Sequence, residues 1–290
     1  MVAKQLKLLA IVGPTASGKT GLSVSVAKKY NGEIIAVDSR TVYKFLDIGT
    51  AKPTKVEQQD ITHWGLDLVG PGQTYSAAQF QSYAKQAIKD IQSRGKLPIL
   101  VGGSGLYVDA ILYDYTFAPP NKVQRQQLEQ MTIPALQEQI NTLGLSLPEN
   151  LQNKRYLVRT IERGNIKMGQ KQLDLGTVVI GLNPSKEVLT ERITLRAEQM
   201  LKDGVIDEIK RAYELYLEDS EALQGGIYKS FWPFIYGTKS QQEAVKYFVT
   251  SDLQLAKKQW TWFKRNNDIS WFTDASEAEA WFINQYGGTL

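Results

Sequence analysis

Residues 13–20 read Gly-Pro-Thr-Ala-Ser-Gly-Lys-Thr, which fits the spacing G-x-x-x-x-G-K-[ST] of a phosphate-binding loop. Each residue type answers a need of anion binding. Gly13 and Gly18 let the backbone bend until several N–H groups point at one anion. Lys19 adds a full positive charge. Thr20, at the start of the next helix, offers a hydroxyl to a Mg²⁺ ion carried by the phosphates, and the helix dipole favours negative charge at the same point. The pattern specifies phosphate, and nucleotide- and ATP-binding proteins use it widely. It does not choose among kinase, hydrolase and transferase.

Asp38 is the second residue placed to do chemistry. It ends the apolar run Glu33-Ile34-Ile35-Ala36-Val37, and the C-terminal ends of strands carry the chemistry in parallel α/β sheets. It is expected to face the loop, with capping of the following turn as the blander alternative. Ser39 to Tyr43 follow, then a polar stretch from Asp47 to Pro53 that is too long for a simple connector and reads as substrate-facing. Arg192 and Arg196 lie one turn apart on one helix face. They either pair with Glu191 or Glu198 or clamp phosphates. His63, the single histidine, reads as structural. Near the C-terminus, Leu253 to Arg265 reads as a helix. At about 100° per residue, Lys257, Lys258, Thr261, Lys264 and Arg265 gather within about a third of its circumference. Leu255, Trp262 and Phe263 fall opposite, toward the core. A solvated face is the ordinary meaning of such cations, but beside Trp260 they suit nucleic-acid phosphates.

These residues need elements to hold them. Leu8 to Val12 is a short apolar strand before the loop, and Gly21 to Lys29 a helix after it. Ser76 caps a helix over 77–94 that Gly95 ends, and Leu97 to Val101 is a strand running into Gly102-Gly103-Ser104-Gly105 and a helix over 106–112. Such alternation predicts an α/β fold, a parallel sheet wrapped by helices. After Tyr113 the composition changes. Residues 119–170 are rich in Gln, Lys and Arg, with helices expected over 122–131, 134–143 and 150–163. Arg125, Lys154, Arg155, Arg159 and Arg163 make this stretch basic, which fits a nucleic-acid surface as well as a solvated one. Thr177 to Leu182 is apolar again and returns to the sheet. The expected division is therefore 1–118 and 171–290 as the core and 119–170 as a small helical insertion domain. Helices are expected over 186–201 and 205–217, and Gly225 to Lys229 as a turn exposing Tyr228 and Lys229.

The 290 residues, 42% hydrophobic, suffice for a sizeable core, and the net charge of +4 permits a nucleic-acid partner without demanding one. With no cysteine and one histidine, disulfides and thiolate metal sites are excluded and zinc is not expected. The apolar run near the N-terminus is too short for a signal or membrane helix. A cytoplasmic monomer with no membrane partner is expected.

Taken together, these stretches resemble the tRNA dimethylallyltransferase, or tRNA isopentenyltransferase, family. The resemblance rests on residues 13–20, Asp38-Ser39-Arg40 with Val42-Tyr43, and Asp47-Ile48-Gly49-Thr50-Ala51-Lys52-Pro53. It continues through Tyr75-Ser76-Ala77-Ala78, Leu97 to Tyr107, and Ala256-Lys257-Lys258-Gln259 with Thr261-Trp262-Phe263. It implies a P-loop nucleoside-triphosphate-hydrolase-like fold and transfer of a dimethylallyl group from its diphosphate to N6 of adenosine 37 of tRNAs, with Mg²⁺. It further implies diphosphate binding by Gly13, Thr15, Ala16, Ser17, Gly18, Lys19 and Thr20. Catalysis would fall to Asp38 as base, Ser104, Lys19 and Arg196, with Mg²⁺ reached by Thr20. Contact with the anticodon stem-loop would fall to Asp38, Ser39, Arg40, Thr41, Arg125, Arg155, Arg159, Lys257, Lys258, Lys264 and Arg265. The chain departs from the family pattern in four places. Thr41 stands for Gln and Ser104 for Thr. Ile227-Tyr228-Lys229-Ser230 stands for Gly-Tyr-[KR]-Glu, and Asp252-Leu253-Gln254 for Thr-Arg-Gln. The rival readings are an adenylate isopentenyltransferase acting on a free nucleotide, a nucleotide-kinase-type phosphotransferase, and a non-catalytic RNA-binding protein.

Overall fold

Apolar runs without polar alternation suit strands buried on both faces, and such runs form the centre of a six-stranded sheet here. A computed structural model of the chain describes residues 6–119, 121–166, 172–217 and 220–287. Residues 1–5, Pro120 and residues 167–170 of the expected insertion lie outside them. The chain divides into two compact units, one of the residues up to Leu112 and from Leu173 onward, the other Tyr113–Gln172.

The first unit begins with β1 (Leu8–Val12), α1 (Lys19–Lys29), β2 (Gly32–Ala36), α2 (Lys55–Gln58), β3 (His63–Trp64), α3 (Ala77–Ser93), β4 (Leu97–Gly102) and α4 (Gly105–Leu112). The inserted unit holds α5 (Lys122–Gln130), α6 (Ile133–Thr142) and α7 (Lys154–Arg163). The first unit resumes with β5 (Thr177–Leu182), α8 (Lys186–Lys202), α9 (Val205–Leu215), a 3₁₀ turn (Glu221–Gln224), α10 (Gly226–Ile235), α11 (Gln241–Phe263), β6 (Ile269–Phe272) and α12 (Ala275–Tyr286). The strand order is β3-β2-β4-β1-β5-β6 and every pairing is parallel.

Register explains the core. Ile34, Ile99, Leu9 and Val178 lie side by side across β2, β4, β1 and β5, on the face where Leu22, Val26, Ala278 and Phe282 of α1 and α12 pack. One residue on, Ile35, Leu100, Ala10 and Val179 form the next row on the opposite face. Because every pairing is parallel, all strand C-termini point the same way. The inserted unit has its own core of Leu128, Leu136, Ile140, Leu157, Val158 and Ile161. Among the described residues no helix is long and apolar enough to cross a membrane.

Glu33 is a carboxylate inside β2, and its side chain is only 3% exposed. It persists because it is fully paired. Arg94 donates to both its oxygens at 2.6 and 2.8 Å, Lys96 donates at 2.8 Å and Trp64 Nε1 at 2.8 Å. The Arg94 hydrogen bonds hold its pKa down at about 2, against the opposing effect of burial. A carboxylate with a depressed folded pKa stabilises fully above its unfolded value and loses that contribution as pH falls through the folded one. Glu33→Gln should therefore cost about 3 kcal/mol at neutral pH, and the deficit should shrink between about pH 4.5 and pH 2. Urea midpoints of both proteins against pH check this, and a deficit independent of pH would refute it.

Candidate active site

The loop after β1 is shaped by close approach. Gly13 has φ 143°, and a Cβ there would lie 2.2 Å from the Leu182 carbonyl oxygen of β5, so no larger residue fits. Gly18 caps α1 in the left-handed conformation with no side-chain hydrogen bond to the helix amides, which leaves them to an anion. Lys19 folds over the loop and donates to the Pro14 carbonyl at 2.5 Å and Ser17 Oγ at 3.3 Å. Burial pulls its ammonium down to about 7, the Arg196 cation acts in the same direction, and Asp38 opposes both.

Both arginines of α8 turn to the loop rather than to Glu191 or Glu198. Arg196 Nη1 donates to Thr15 Oγ1 at 2.8 Å and Arg192 Nη1 to the Ala16 carbonyl at 3.3 Å. The surface-pair alternative is not the one seen, and both guanidiniums lie against the loop. From the other side, Gln259 Oε1 of α11 accepts the Thr15 N–H at 2.8 Å. Gly103 makes room for that side chain, because a Cβ there would lie 2.3 Å from Gln259 Nε2.

A cleft of about 660 Å³ opens over the loop, and Thr15 through Thr20, Asp38, Arg40, Thr41, Arg196 and Asp252 all reach it. β2 ends at Ala36, earlier than expected, though Val37 still donates to the Val101 carbonyl at 2.7 Å. Asp38 sits just beyond, facing Lys19 as expected. Burial pushes its carboxyl above the usual range, against the Arg40 amide, whose N–H it accepts at 2.7 Å. It thus shapes the turn and also faces the cleft. Ser104 is turned onto the Ser39 amide, whose N–H it accepts at 3.1 Å, and is not among the residues that line the cleft. The Arg40 guanidinium donates to the Glu221 carbonyl. Thr41 is buried and its hydroxyl has no hydrogen-bond partner.

Gly49, Thr50, Ala51 and Pro53 line the cleft, and their loop is held by a residue the sequence did not mark. Glu208 of α9 accepts the N–H groups of Asp47, Ile48 and Gly49 at 2.8, 2.7 and 2.7 Å and the Tyr228 hydroxyl at 2.9 Å. The expected turn at Gly225–Lys229 is instead the cap and first turn of α10, and Tyr228 is fully buried. The two glycines serve close packing, not a reversal. A Cβ on Gly226 would lie 3.1 Å from Ser251 Oγ, and Ser230 Oγ bonds back to the Gly226 carbonyl at 2.5 Å.

The basic helix is far longer than expected, and its buried side differs from the expected one. Ala244, Phe248, Asp252, Ala256 and Phe263 are buried, whereas Leu255 is 44% exposed and borders the cleft. Lys257, Lys258, Lys264 and Arg265 are exposed as expected. Trp262 donates to Asp109 Oδ2 of α4 at 2.8 Å, and the Arg265 guanidinium lies over its ring at 4.8 Å. His63 is half-buried and its Nδ1 meets the Ile61 carbonyl at 2.9 Å, a structural contact. In the inserted unit Arg125 is engaged by Glu162 at 2.6 and 2.5 Å, and Lys154 by the Glu129 carbonyl at 2.6 Å. Arg155, Arg159 and Tyr156 are exposed on α7, and Arg159 also reaches Glu162 at 3.4 Å.

The IPP transferase family model matches residues 41–266. A tRNA dimethylallyltransferase of Anoxybacillus flavithermus is 40% identical over 279 residues, covering 92% of this chain and 90% of the relative. One from Bacillus cereus is 35% identical over 290 residues, covering 94% and 91%. The crystal structure of a tRNA isopentenylpyrophosphate transferase from Bacillus halodurans aligns with TM-score 0.73 at 32% identity, over 97% of both chains. A Staphylococcus epidermidis tRNA isopentenylpyrophosphate transferase gives 0.73 at 34%, over 98% and 99%. The family model spans most of this chain and the relatives match it over nearly their whole length, so this chain belongs to the IPP transferase family.

Proposed function

We propose that this protein transfers the dimethylallyl group of dimethylallyl diphosphate to N6 of adenosine 37 in tRNA. The observation that carries the reading is the convergence of the phosphate loop, Lys19, Arg196 and Asp38 on one cleft in a chain of this family. In the reaction the allylic C1–O bond breaks, a C1–N6 bond forms, diphosphate leaves with the bonding pair, and N6 gives up one proton.

The exocyclic amine is a weak nucleophile, because its lone pair is delocalised into the ring. The leaving group therefore needs stabilisation as its charge develops. Gly13, Thr15, Ala16, Ser17 and Gly18 surround the diphosphate with loop backbone. Lys19 and Arg196 set cations beside it. Its negative charge would restore the proton that burial loosens from Lys19. Asp38 orients N6–H and accepts the proton, its raised pKa bringing it closer to the amine's needs. Ser104, which accepts the Ser39 N–H, positions that amide beside Asp38 and acts from behind the cleft wall. Thr20, a hard oxygen ligand lining the cleft, suits Mg²⁺ carried by the diphosphate, which would supply further neutralisation of the leaving charge. The tRNA would meet Ser39, Arg40, Thr41, the exposed cations of α11 and, in the inserted unit, Arg155 and Arg159 with Arg125. The target base must leave its stack to enter the cleft.

Incubation with dimethylallyl diphosphate or ATP, and with tRNA or AMP as acceptor, tests the assignment. Prenylated tRNA is expected from one combination alone. Prenylated AMP, or phosphate transfer from ATP, would replace it with the corresponding rival. Asp38→Asn should leave diphosphate affinity unchanged and lower the single-turnover rate by about 10² or more, the scale of lost general-base catalysis. A donor affinity that collapses with the rate would make Asp38 part of the donor site instead. Replacing Lys257, Lys258 and Lys264 together by Gln removes exposed charge and leaves the buried side of α11 intact. It should weaken binding of all tRNA sequences alike and reduce the log–log salt slope by about 0.7–0.9 for each phosphate that the lysines no longer neutralise. Identical salt dependence in both proteins would place the tRNA elsewhere.

A further inference from the structure

A second carboxylate lies inside the anion cleft, and the transfer described above does not use it. Asp252 of α11 is 7% exposed and lines the cleft together with the phosphate loop. Its Oδ2 lies 4.0 Å from Arg196 Nη1, the same nitrogen that donates to Thr15 Oγ1 at 2.8 Å. α10 packs closely against it, and a Cβ on Gly226 would lie only 3.3 Å from Asp252 Oδ1. It stands where the family pattern has Thr, so its charge belongs to this chain and not to the resemblance.

A negative charge in a cleft built for an anion has one physical consequence. It repels the ligand, and it competes with the ligand for the cation between them. Resting on the diphosphate assignment above, we propose that Asp252 is a positioning residue that draws Arg196 away from bound diphosphate, lowering the cleft's affinity for this anion and hastening its release after transfer. In the empty cleft Asp252 and Thr15 hold the guanidinium between them. When diphosphate binds, Arg196 must serve two anions, and each weakens its hold on the other.

The carboxylate can be switched off by protonation, which separates charge from shape. Burial raises its pKa to about 6, with Asp38 acting in the same sense and Arg196 opposing. Other charges that face the cleft come from Lys19 of α1, Glu57 of α2 and His63 of β3. Arg40 beyond β2, Arg192 of α8 and Lys258 of α11 complete the set. All are shared by wild type and variant, as is the titration of diphosphate itself, so a difference between the two proteins isolates Asp252.

The test is calorimetric titration of inorganic diphosphate into the full chain, Asp252→Asn and Asp252→Thr at pH 8 and pH 5, at one ionic strength. At pH 8 both variants should bind about tenfold tighter or more, the scale of one unit charge removed at short range in a partly screened site. At pH 5, where the wild-type carboxyl is neutral, the gap should close to about twofold or less. Equal or weaker binding by both variants at pH 8, or a gap unchanged at pH 5, overturns the proposal. Failure of the underlying assignment looks different: wild type itself would not bind diphosphate, or Lys19→Ala would bind it as well as wild type does.

Discussion

Lys19 and Arg196 repel one another, and the structure is arranged so that they meet regardless. Each is partly stripped of water, and the Arg196 charge further loosens the proton on Lys19. Neither α1 nor α8 alone can hold such a pair. Lys19 is tethered by the loop's own Pro14 carbonyl and Ser17 hydroxyl, Arg196 by Thr15 and Asp252. The loop itself is seated by the contact of Gly13 with Leu182 and by Gln259. What results is a field of positive charge set in advance for an anion, which is how electrostatic stabilisation of a leaving group works without reorganisation during the reaction. The unfavourable electrostatics are offset by the apolar rows on both faces of the sheet.

Features whose cause is local were legible in the sequence. The phosphate loop, β1, β5 and the Ser76 cap are each specified within a few residues, and each stands where the residue pattern places it. Gly225–Gly226 misleads because paired glycines usually mark a turn. Here Gly226 permits close approach of α10 to α11, a reason that exists only in three dimensions. Leu255 misleads for a related reason. A helical wheel assigns the buried side from hydrophobicity, but α11 buries small residues, two phenylalanines and an aspartate, and turns a leucine to the cleft. Glu208 left no signal at all, and Gln259 enters only through the resemblance, with no role attached. Their partners are backbone amides distant in sequence, and an amide carries no residue identity to read. Arg125 looks like a phosphate ligand by composition, and its engagement by Glu162 becomes visible only once α5 and α7 pack together.

The sheet order has a consequence for how the chain comes into being. β1 is made first, yet it lies between β4 and β5, and β5 follows the whole inserted unit in sequence. During synthesis the strand that carries the phosphate loop therefore waits with one edge unpaired while the inserted helices, which have their own core, emerge and can fold. An apolar parallel strand with an open edge is a site for wrong pairing. It is closed only when Thr177–Leu182 arrives, and that strand also supplies the carbonyl against which Gly13 seats. Arg196, Glu208 and Gln259 come later still. The loop that announces the chemistry at the beginning of the chain gains its shape from residues translated at the end.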